Sequence, residues 1–491
     1  MEGCNYDAVS TTIKFEDITS SETNQGILRR LKENDIDKLW ICDEETTDGD
    51  TRDYVPLDEN DMGWLGYFIG NSTSLKEIIF LTRDINNIEA FCRGLNNNQS
   101  IMRIGFLNIR GNPFLNIRGT NRLEGNIFGM LDPFFTNNHK LTKFEVRDCE
   151  LGAEGVRLLS LAIRTCKSLK HFTFSYSEIG DGQMVDIILA LSVHTQLEKI
   201  VLSRMNIGRN ECTALATLLR NTIKHLQTLN LVWNNIDDDG VETLVNAMDG
   251  SQLRDLNLSS NATITNEGWK TVSALLERPG SNLEKLYLSR NNIGDEGALI
   301  LANALRGNCE LKTLALHDYS GITAEGWTPF LKLLCDTSNV NCTYLSNHTL
   351  GNVGYFAPGA SPPDDIQLHL SLNNSIGDKG RIAMTKILQH HSHFDMQPLF
   401  EWELKVLPLV IDWLEKAAAC TTEFDDQIKR MKLSCMYDFV REFPMLYVEP
   451  VTRKEIEKYS AMEMKMEGDP MQHDKLEEVQ QRKTRAMRRL F

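Results

Sequence analysis

The chain has 491 residues, of which 41% are hydrophobic and 24% charged, and its formal net charge is −16. An acidic surface repels nucleic acid over most of its area, so no nucleic-acid partner is expected for the body of the protein. No stretch approaches the roughly 18 apolar residues that span a bilayer, and the first residues lack the basic start and apolar run of a secretory signal, which predicts an intracellular protein, cytoplasmic or nuclear, without a transmembrane segment.

Three segments precede the regular part of the chain. Residues 1–30 are polar and predict a disordered N-terminal segment. Residues 43–61, DEETTDGDTRDYVPLDEND, are rich in acidic side chains but lack the spaced Glu that closes a calcium loop, which favours a solvated acidic loop. The stretch NDMGWLGYFIG predicts a helix shortly before Leu75.

The chain then repeats one frame. Residues 283–305, LEKLYLSRNNIGDEGALILANAL, read L-x-x-L-x-L-x-x-N, followed by a Gly and apolar residues at helical spacing. The first residues of the units are Leu75, Ile101, Leu141, Leu169, Leu197, Leu226, Leu253, Leu283 and Leu311, in steps of 26, 40, 28, 28, 29, 27, 30 and 28. A degraded unit is predicted near Val340 and another at Ile36. A period of this length is the signature of stacked repeats.

Each unit predicts a strand followed by a helix. The strands are predicted at 39–41, 78–80, 104–106, 144–146, 172–174, 200–202, 229–231, 256–258, 286–288 and 314–316. An Asn at the ninth position is expected to cap backbone groups at the turn, as at Asn234, Asn261 and Asn291. Two units have a small residue there instead, Cys149 or Ser177. Two others depart from the pattern, with Met205 and Tyr319. A Gly at the fifteenth position allows close packing where the helix begins, as at Gly155, Gly240, Gly297 and, one position later, Gly326. One unit cannot bury its apolar face alone, whereas stacked units can.

These units resemble leucine-rich repeats of the ribonuclease-inhibitor type, whose period is about 28 residues. The resemblance covers residues 31–345. It implies an α/β fold, a leucine-rich repeat solenoid or horseshoe, with parallel strands on the concave face and helices on the convex face.

One unit contains a duplicated octamer, FLNIRGNP at 106–113 and FLNIRGTN at 114–121. Removing eight residues from the 40-residue step leaves 32, close to the other steps. A phosphate-binding loop would place its glycines before a helix and follow them with Lys and Ser or Thr, and Gly111 and Gly119 lack this context. One copy is therefore predicted to belong to the repeat, and the other to be tolerated extra length at a turn.

The period ends after residue 345. Residues 346–367 predict an irregular loop, residues 368–450 a helical C-terminal cap, and residues 451–491 a charged, partly helical tail. A cap would cover the open end of the solenoid, and a second binding module is the alternative. The basic end of the tail is consistent with a solvated helix, a nuclear localisation signal, a coiled-coil segment or a segment that contacts an acidic surface.

Several segments are similar to a diatom-type group of leucine-rich repeat proteins that share a C-terminal helical region. They are FDMQPLFEWELKVLPLVIDWLEK, MYDFVREFPMLYVE, SNHTL and GWLGYFIGNSTSLKEI. That resemblance supports the predicted repeats and C-terminal helical region, and it implies no activity.

No catalytic constellation stands out, so a non-enzymatic protein without cofactors is predicted. The strongest metal candidate is HHSHFD, with His390, His391, His393 and Asp395, but adjacent His side chains diverge on a helix, and zinc needs three or four convergent ligands. No metal site is therefore predicted; Cys335, Cys342 and His348 lack a zinc spacing. Eleven scattered cysteines in a chain without an export signal are expected to stay reduced.

The outward positions of the predicted strands carry the candidate binding residues. They are Tyr176, Arg204, Trp233, Tyr287, Arg290 and His317. Tyr, Trp and Arg are enriched at binding hot spots, and nothing in the repeat frame demands them here. Arg204, Trp233 and Arg290 share the eighth position of their units, which predicts a row suited to an acidic or aromatic partner segment. The competing interpretation is that these large side chains only shield backbone and one another.

Two functions follow. The first is a non-catalytic protein–protein interaction scaffold that binds a protein partner on the concave face. The second is a GTPase-activating protein for a small GTPase, since Ran-type activators also use ribonuclease-inhibitor-type repeats; no activator signature maps onto particular residues, so this alternative rests on the fold alone. The sequence names neither the partner nor the oligomeric state.

Overall fold

Eleven parallel strands form one open sheet within the part of the chain that the structure describes. The computed structural model describes residues 6–42, 53–57, 59–81, 89–107, 126–149, 151–177, 179–316, 320–354, 362–375 and 379–391. The strands β1 to β11, in chain order, are Lys38–Cys42, Asp53–Tyr54, Glu77–Leu81, Arg103–Leu107, Lys143–Arg147, His171–Ser175, Lys199–Val201, Thr228–Asn230, Asp255–Asn257, Lys285–Tyr287 and Thr313–Ala315. Their order in the sheet is β11-β10-β9-β8-β7-β6-β5-β4-β3-β1-β2. All paired neighbours are parallel, which confirms the predicted solenoid sheet.

The register follows the repeat frame. Leu229 pairs with Leu256, and Leu286 with Leu314, so equivalent positions of successive units are aligned. The first five predicted strands lie within observed strands, whereas the last five begin and end one residue earlier than predicted. The reason lies in the turn. Hydrogen bonds between units continue past the strand end, as from the Leu202 N–H to the Asn230 carbonyl, but the backbone already leaves the extended conformation.

Helices alternate with the strands along the chain. The helices α1 to α16 are Tyr6–Val9, Glu22–Glu33, Glu59–Asn71, Glu89–Leu95, Asn126–Met130, Asp132–Asn137, Ala153–Thr165, Gln183–Ala190, Arg209–Asn221, Asp238–Ala247, Asn266–Glu277, Gly294–Ala304, Ala324–Leu334, Val340–Tyr344, Asp364–Ser375 and Lys379–His390. Short 3-10 turns occur at Phe15–Asp17 and Leu191–Val193. Within the described residues, no helix is both long and apolar enough to cross a membrane.

A single apolar core joins strands and helices. Its strand side consists of the leucine positions of the frame, such as Leu256 and Leu286, and its helix side of residues such as Leu301, all of them fully buried. A Cβ atom on Gly297 would lie 2.8 Å from Ile293 Cγ2 and 3.0 Å from Trp269 Cδ1, so the predicted need for glycine at the helix start is confirmed there. The core is continuous because each unit buries the apolar face of its neighbour.

The asparagines at the ninth position form a ladder beneath the turns. The Asn261 amide donates to the carbonyls of Leu231 at 3.1 Å and Leu258 at 2.9 Å, and its Oδ1 accepts from the Ile236 N–H at 3.1 Å. Asn234 and Asn291 repeat the pattern. Each amide therefore caps backbone groups at the turn, as predicted, and it also joins its own unit to the preceding one.

The N-terminal segment differs from its prediction. Residues 6–33 contain α1, a 3-10 turn and α2, where disorder is predicted from the polar composition. Helix α2 buries Ile27, Leu28 and Leu31, whose spacing places them on one face, and the Ser21 side chain caps its first turn by accepting from the Asn24 N–H. Three apolar residues are enough to order this helix, because they pack against the core formed by the repeats.

The acidic segment 43–61 also contains order that was not predicted. Asp53 and Tyr54 form β2, which extends the sheet beyond β1, and both residues are buried. The predicted helix before Leu75 is α3, which begins within this segment at Glu59. Residues 43–52 and 58 lie outside the described residues.

The predicted degraded unit near Val340 is misplaced. Val340 begins α14, whereas the sheet is continued by Asn352, which forms a bridge with Thr313. The first residue of this unit is Leu350, fully buried, and Asn347 caps its backbone N–H at 2.8 Å. The sequence signal is the Asn three residues before the first residue of the unit, which also caps at Asn98, Asn138 and Asn308.

Two compact units divide the chain. The first comprises Met1–Asp336 and Ser346–Asn374 and contains the sheet; the second comprises Thr337–Leu345 and Ser375–Phe491. Helix α15 begins at Asp364, within the predicted irregular loop of residues 346–367, and continues with α16 into the region predicted as a helical cap. Residues 392–491 lie outside the described residues, so the cap, the tail and the diatom-type resemblance stay predictions.

The duplicated octamer is described only at its start. Phe106 and Leu107 of the first copy lie in β4, and the buried Phe106 ring stacks on Phe80 with centroids 4.9 Å apart. Residues 108–125 lie outside the described residues, so the assignment of the second copy as extra length stays a prediction.

Candidate functional site

The eighth position of each described unit from Leu141 to Leu283 adopts a left-handed backbone. The φ angles are 54° at Asp148, 56° at Tyr176, 55° at Arg204, 61° at Trp233, 58° at Ser260 and 58° at Arg290. The repeat imposes this conformation, because the N–H of the eighth residue donates to the carbonyl of the seventh residue in the next unit. Arg204 donates to Val232 at 3.0 Å, and Trp233 donates to Ser259 at 3.0 Å. The sequence frame gave no sign of this geometry.

Four of these residues form what we call the aromatic–arginine row: Tyr176, Arg204, Trp233 and Arg290. The Arg204 guanidinium carbon lies 5.7 Å from the centroid of the Tyr176 ring and 5.8 Å from that of Trp233. Tyr176 is 47% and Trp233 45% exposed, and both arginines are exposed. At these distances each guanidinium is attracted by the electron-rich face of the ring. The predicted alignment of the eighth positions is therefore present in the structure.

The row continues across a small residue. The Arg290 guanidinium carbon lies 5.9 Å from the Trp233 ring centroid, although the unit of Ser260 stands between their two units. A serine at that position leaves room for the long arginine side chain to reach back. The Ser260 hydroxyl is enclosed and has no hydrogen-bond partner among the described residues.

The remaining predicted site residues are less closely associated. Tyr287 is half-buried at the end of β10, in register with Asn257 on one side and Ala315 on the other. It lies on the sheet face opposite to the buried Leu286. His317 lies outside the described residues, so its place in the site stays a prediction.

Several charged groups elsewhere on the open sheet face form ion pairs. Arg103 bonds Glu77 and Glu145, each at 2.8 Å, and Arg147 also pairs with Glu145. Hydrogen bonds from Lys170 to Glu198 and from Lys312 to Glu284 hold the pKa of each carboxyl below its usual range. By contrast, Arg204 forms no ion pair within the described residues. Arg204 therefore offers a guanidinium group that the described residues of the sheet face do not neutralise.

Three of the described cysteines lack the features of reactive thiols. Burial raises the pKa of Cys92, Cys166 and Cys212 to about 12. Thiolate chemistry needs a lowered pKa and access, so these thiols act as small core residues.

The histidine candidates for a metal site are only partly described. The His391 Nε2 lies 2.8 Å from the Thr343 hydroxyl oxygen, and His390 is exposed. His393 and Asp395 lie outside the described residues.

The fold and the row define a repeat protein with an open, parallel-stranded face. A model of the family described as Leucine Rich repeat matches residues 137–160, 222–245, 252–273, 281–302 and 367–384. The pig ribonuclease inhibitor is 30% identical over 175 residues, 35% of this chain and 38% of that protein. The human NACHT, LRR and PYD domains-containing protein 14 is 29% identical over 246 residues, 49% of this chain and 22% of that protein.

The chain therefore carries leucine-rich repeats of the ribonuclease-inhibitor-like type. It spans less than half the length of the curated relatives it matches. Among solved structures, the yeast Rad7 and Elc1 complex is 14% identical, covering 59% of this chain and 65% of that chain with a TM-score of 0.36. An internalin from Listeria monocytogenes is 16% identical, covering 64% of this chain and 94% of that chain with a TM-score of 0.35. Scores below 0.5 support no conclusion about this protein.

Proposed function

We propose that the protein is a non-catalytic interaction scaffold that binds a protein partner along the aromatic–arginine row, on the open face of the sheet. The observation that carries this proposal is the row itself. Two exposed aromatic rings and two exposed guanidinium groups are held in fixed order by the backbone ladder. Tyr, Trp and Arg provide large contact areas at low cost in side-chain entropy when they are pre-ordered.

The backbone conformation argues against a purely structural role for these side chains. A left-handed φ costs an ordinary L-residue on the order of 1 kcal/mol, and only Gly, Asn and Asp adopt it readily. Asp148 and Ser260 show that small polar residues are accommodated at the same position of the frame. The presence of Tyr, Arg and Trp at a position that disfavours them is the pattern expected when the side chain serves binding.

Shielding of the backbone is the competing explanation, and exposure weighs against it. A side chain that only covered its neighbours would be largely buried by them, whereas Tyr176 and Trp233 keep nearly half of their surface exposed. GTPase activation receives no support from the matched proteins, and no residue in the described part of the chain is assigned to it.

The test compares two triple alanine variants in affinity capture from the source cells. One variant replaces Arg204, Trp233 and Arg290. The other replaces Arg157, Leu161 and Arg164 on α7, which are also exposed and have a similar composition. We expect the row variant to lose about 1–2 kcal/mol of binding free energy at its strongest anchor, with stability changed by about 0.5 kcal/mol per site. Equal capture of the partner by a folded row variant and wild type would refute the proposal.

A further inference from the structure

A column of mostly charged residues crosses the open face of the sheet at the third position of the repeat frame. In the order of their paired strands, the column consists of Lys38, Glu77, Arg103, Lys143, His171, Lys199, Thr228, Asp255, Lys285 and Thr313. These residues alternate along their strands with buried ones such as Phe172, so they lie on the face opposite to the core.

Towards both ends of this column, basic residues lie beside acidic ones. Lys38 and Arg103 lie 4.0 and 2.8 Å from the Glu77 carboxylate, and Lys285 lies 3.6 Å from the Asp255 carboxylate. Between these groups, three consecutive strands contribute three basic residues, which we call the basic triad: Lys143, His171 and Lys199. Ion pairing along the sheet accounts for the outer parts of the column but does not account for the basic triad.

The described residues leave both lysines of the basic triad without a charged partner. Lys143 and Lys199 are exposed, and neither side chain forms an ion pair or a hydrogen bond within the described part of the chain. The nearby Glu198 is already shared, since its carboxylate lies 2.7 Å from Lys170 Nζ and 3.5 Å from His171 Nε2. In a chain whose net charge is −16, this is a local concentration of positive charge.

The three side chains of the basic triad influence one another. Partial burial lowers the pKa of His171, and the charges of Lys143 and Lys199 lower it further, whereas Glu198 opposes the effect. Neighbouring strands are about 4.8 Å apart, so the three backbone positions span about 10 Å. The flexible stems of both lysines allow their ammonium groups to approach one anion at the central imidazole. An anion bound there would relieve the repulsion among the basic groups.

A phosphate monoester matches the basic triad better than a carboxylate does. It carries about −1.5 to −2 charges at pH 7 and three acceptor oxygens, whereas a carboxylate has a single charge. Lysine binds phosphate as a point charge, whereas a planar carboxylate favours the fork of arginine. A long polyanion such as nucleic acid fits less well, because Glu77 and Asp255 lie in the same column on either side of the triad.

From these features we infer that the basic triad binds a phosphorylated side chain of a protein partner, with the phosphate oxygens on Lys143, His171 and Lys199. The inference goes beyond the proposed scaffold function, because the site contains none of the residues of the aromatic–arginine row. It makes binding on the open face of the sheet responsive to phosphorylation of the partner.

The experiment is a calorimetric titration of the full chain with synthetic peptides at concentrations up to the millimolar range. The probe is a short glycine peptide, blocked at both ends, with a central phosphoserine. Two control peptides have serine or glutamate at the central position, and a short oligothymidylate is titrated separately. We expect the probe to bind at least about tenfold more tightly than either control peptide, and to weaken as salt is raised, because charge-assisted hydrogen bonds carry the binding.

Two double variants locate the site with a matched control. Lys143→Gln with Lys199→Gln removes both lysines of the basic triad and should weaken binding of the probe at least about tenfold. Lys38→Gln with Lys285→Gln removes the same charge from the same position of the frame, but each of these lysines lies beside an acid. This control should bind the probe within about twofold of wild type, because solvent and salt screen distant charges. Circular dichroism spectra and melting curves establish that each variant is folded.

A readout at His171 separates contact with the phosphate from a general effect of charge. The ring proton signals of His171, assigned by their absence from His171→Gln, follow its protonation in NMR titrations. We expect the pKa of His171 to rise when the probe is bound, because a neighbouring dianion stabilises the imidazolium form. The serine peptide should leave it unchanged.

Four outcomes would overturn the inference. They are binding of the serine or glutamate peptide as tight as that of the probe, binding of the oligothymidylate as tight per phosphate, unchanged binding by the folded triad variant, and a His171 pKa that the probe does not move. The scaffold proposal is tested separately by the triple alanine variant of the row. Loss of the captured partner by that variant, together with any of these four outcomes, would leave the scaffold proposal standing and refute only the phosphate site.

Discussion

The guanidinium carbon of Arg290 lies 5.9 Å from the ring centroid of Trp233, although a complete repeat separates the two residues. The contact exists because the intervening residue at the eighth position is Ser260, which leaves space for the longer side chain. Three consecutive units thus contribute an aromatic ring, a gap and a cation to one surface. The row arises only from stacking, because each unit contributes one of its side chains.

The left-handed backbone at the eighth position predicts an unusual ranking of substitutions. Arg204→Asn and Arg204→Val both remove the contacts with Tyr176 and Trp233, but only asparagine tolerates a φ of 55°. We expect the valine variant to be less stable than the asparagine variant by on the order of 1 kcal/mol, measured as free energies of unfolding in urea.

The control for this ranking lies in the same unit. Lys199 is exposed and belongs to the extended strand β7, where valine is favoured over asparagine, so the order of Lys199→Val and Lys199→Asn should be reversed. If the asparagine and valine variants had the same order of stability at both positions, the left-handed conformation would impose no energetic cost at Arg204.

The asparagine ladder predicts a large effect from one buried amide. Asn261→Ala removes three donated hydrogen bonds and one accepted bond and leaves the carbonyls of Leu231, Leu258 and Ser259 with fewer partners. We expect a loss of about 2–4 kcal/mol in the free energy of unfolding, because buried polar groups would be left unsatisfied. Asn235→Ala is the matched control, since Asn235 is exposed and its side chain bonds, among the described residues, only the exposed Asn206 side chain. Its effect should stay within about 0.5 kcal/mol, and similar losses at both positions would contradict the ladder.

The duplicated octamer predicts a contrast between a deletion and a point substitution. Deleting Phe106–Pro113 should leave the melting temperature nearly unchanged or raised, since Phe114 and Leu115 can then supply the residues of β4 and loop closure depends only weakly on length. Phe106→Ala should cost about 3–5 kcal/mol, because the buried ring that stacks on Phe80 is lost. Insoluble protein from the deletion would show that the first copy has a role of its own.

Asp61 predicts a distinctive pH dependence. Its carboxyl accepts from the Tyr54 hydroxyl and from the Leu57 N–H at 3.0 Å, and burial raises the pKa to about 6. The folded state therefore binds the proton more tightly than the unfolded state, whose pKa is near the ordinary 3.8. The stability attributable to Asp61 should rise as the pH falls through about 6 towards 4, and it should be lost as the pH rises through 6.

The measurement is the free energy of unfolding of wild type and Asp61→Asn between pH 4.5 and 7.5. We expect wild type to gain relative to the variant as the pH falls. The comparison removes the opposite effect of carboxyls such as Asp237, whose pKa is held low by the Gly240 N–H and whose contribution is lost at acid pH. A constant difference across the range would show that Asp61 keeps an ordinary pKa.

The sequence alone determined the parallel sheet and the capping of the turns by the asparagines at the ninth position. Both follow from positions that recur every 26 to 30 residues in most units, and stacking identical frames forces Leu229 beside Leu256 and Asn261 beside Asn291. It also indicated which residues share the eighth position. Periodicity fixes such features because the same local pattern is repeated in space as it is in the chain.

Only the tertiary structure decided the features that depend on contacts without a period. These include the left-handed φ at Arg204, the reach of Arg290 across Ser260, the pairing of β2 with β1, the burial of Asp61, and the position of the unit that begins at Leu350. Each arises because a particular side chain or backbone group meets a partner in another unit. Such a contact depends on how the neighbouring units pack, and the sequence pattern of one unit does not specify that packing.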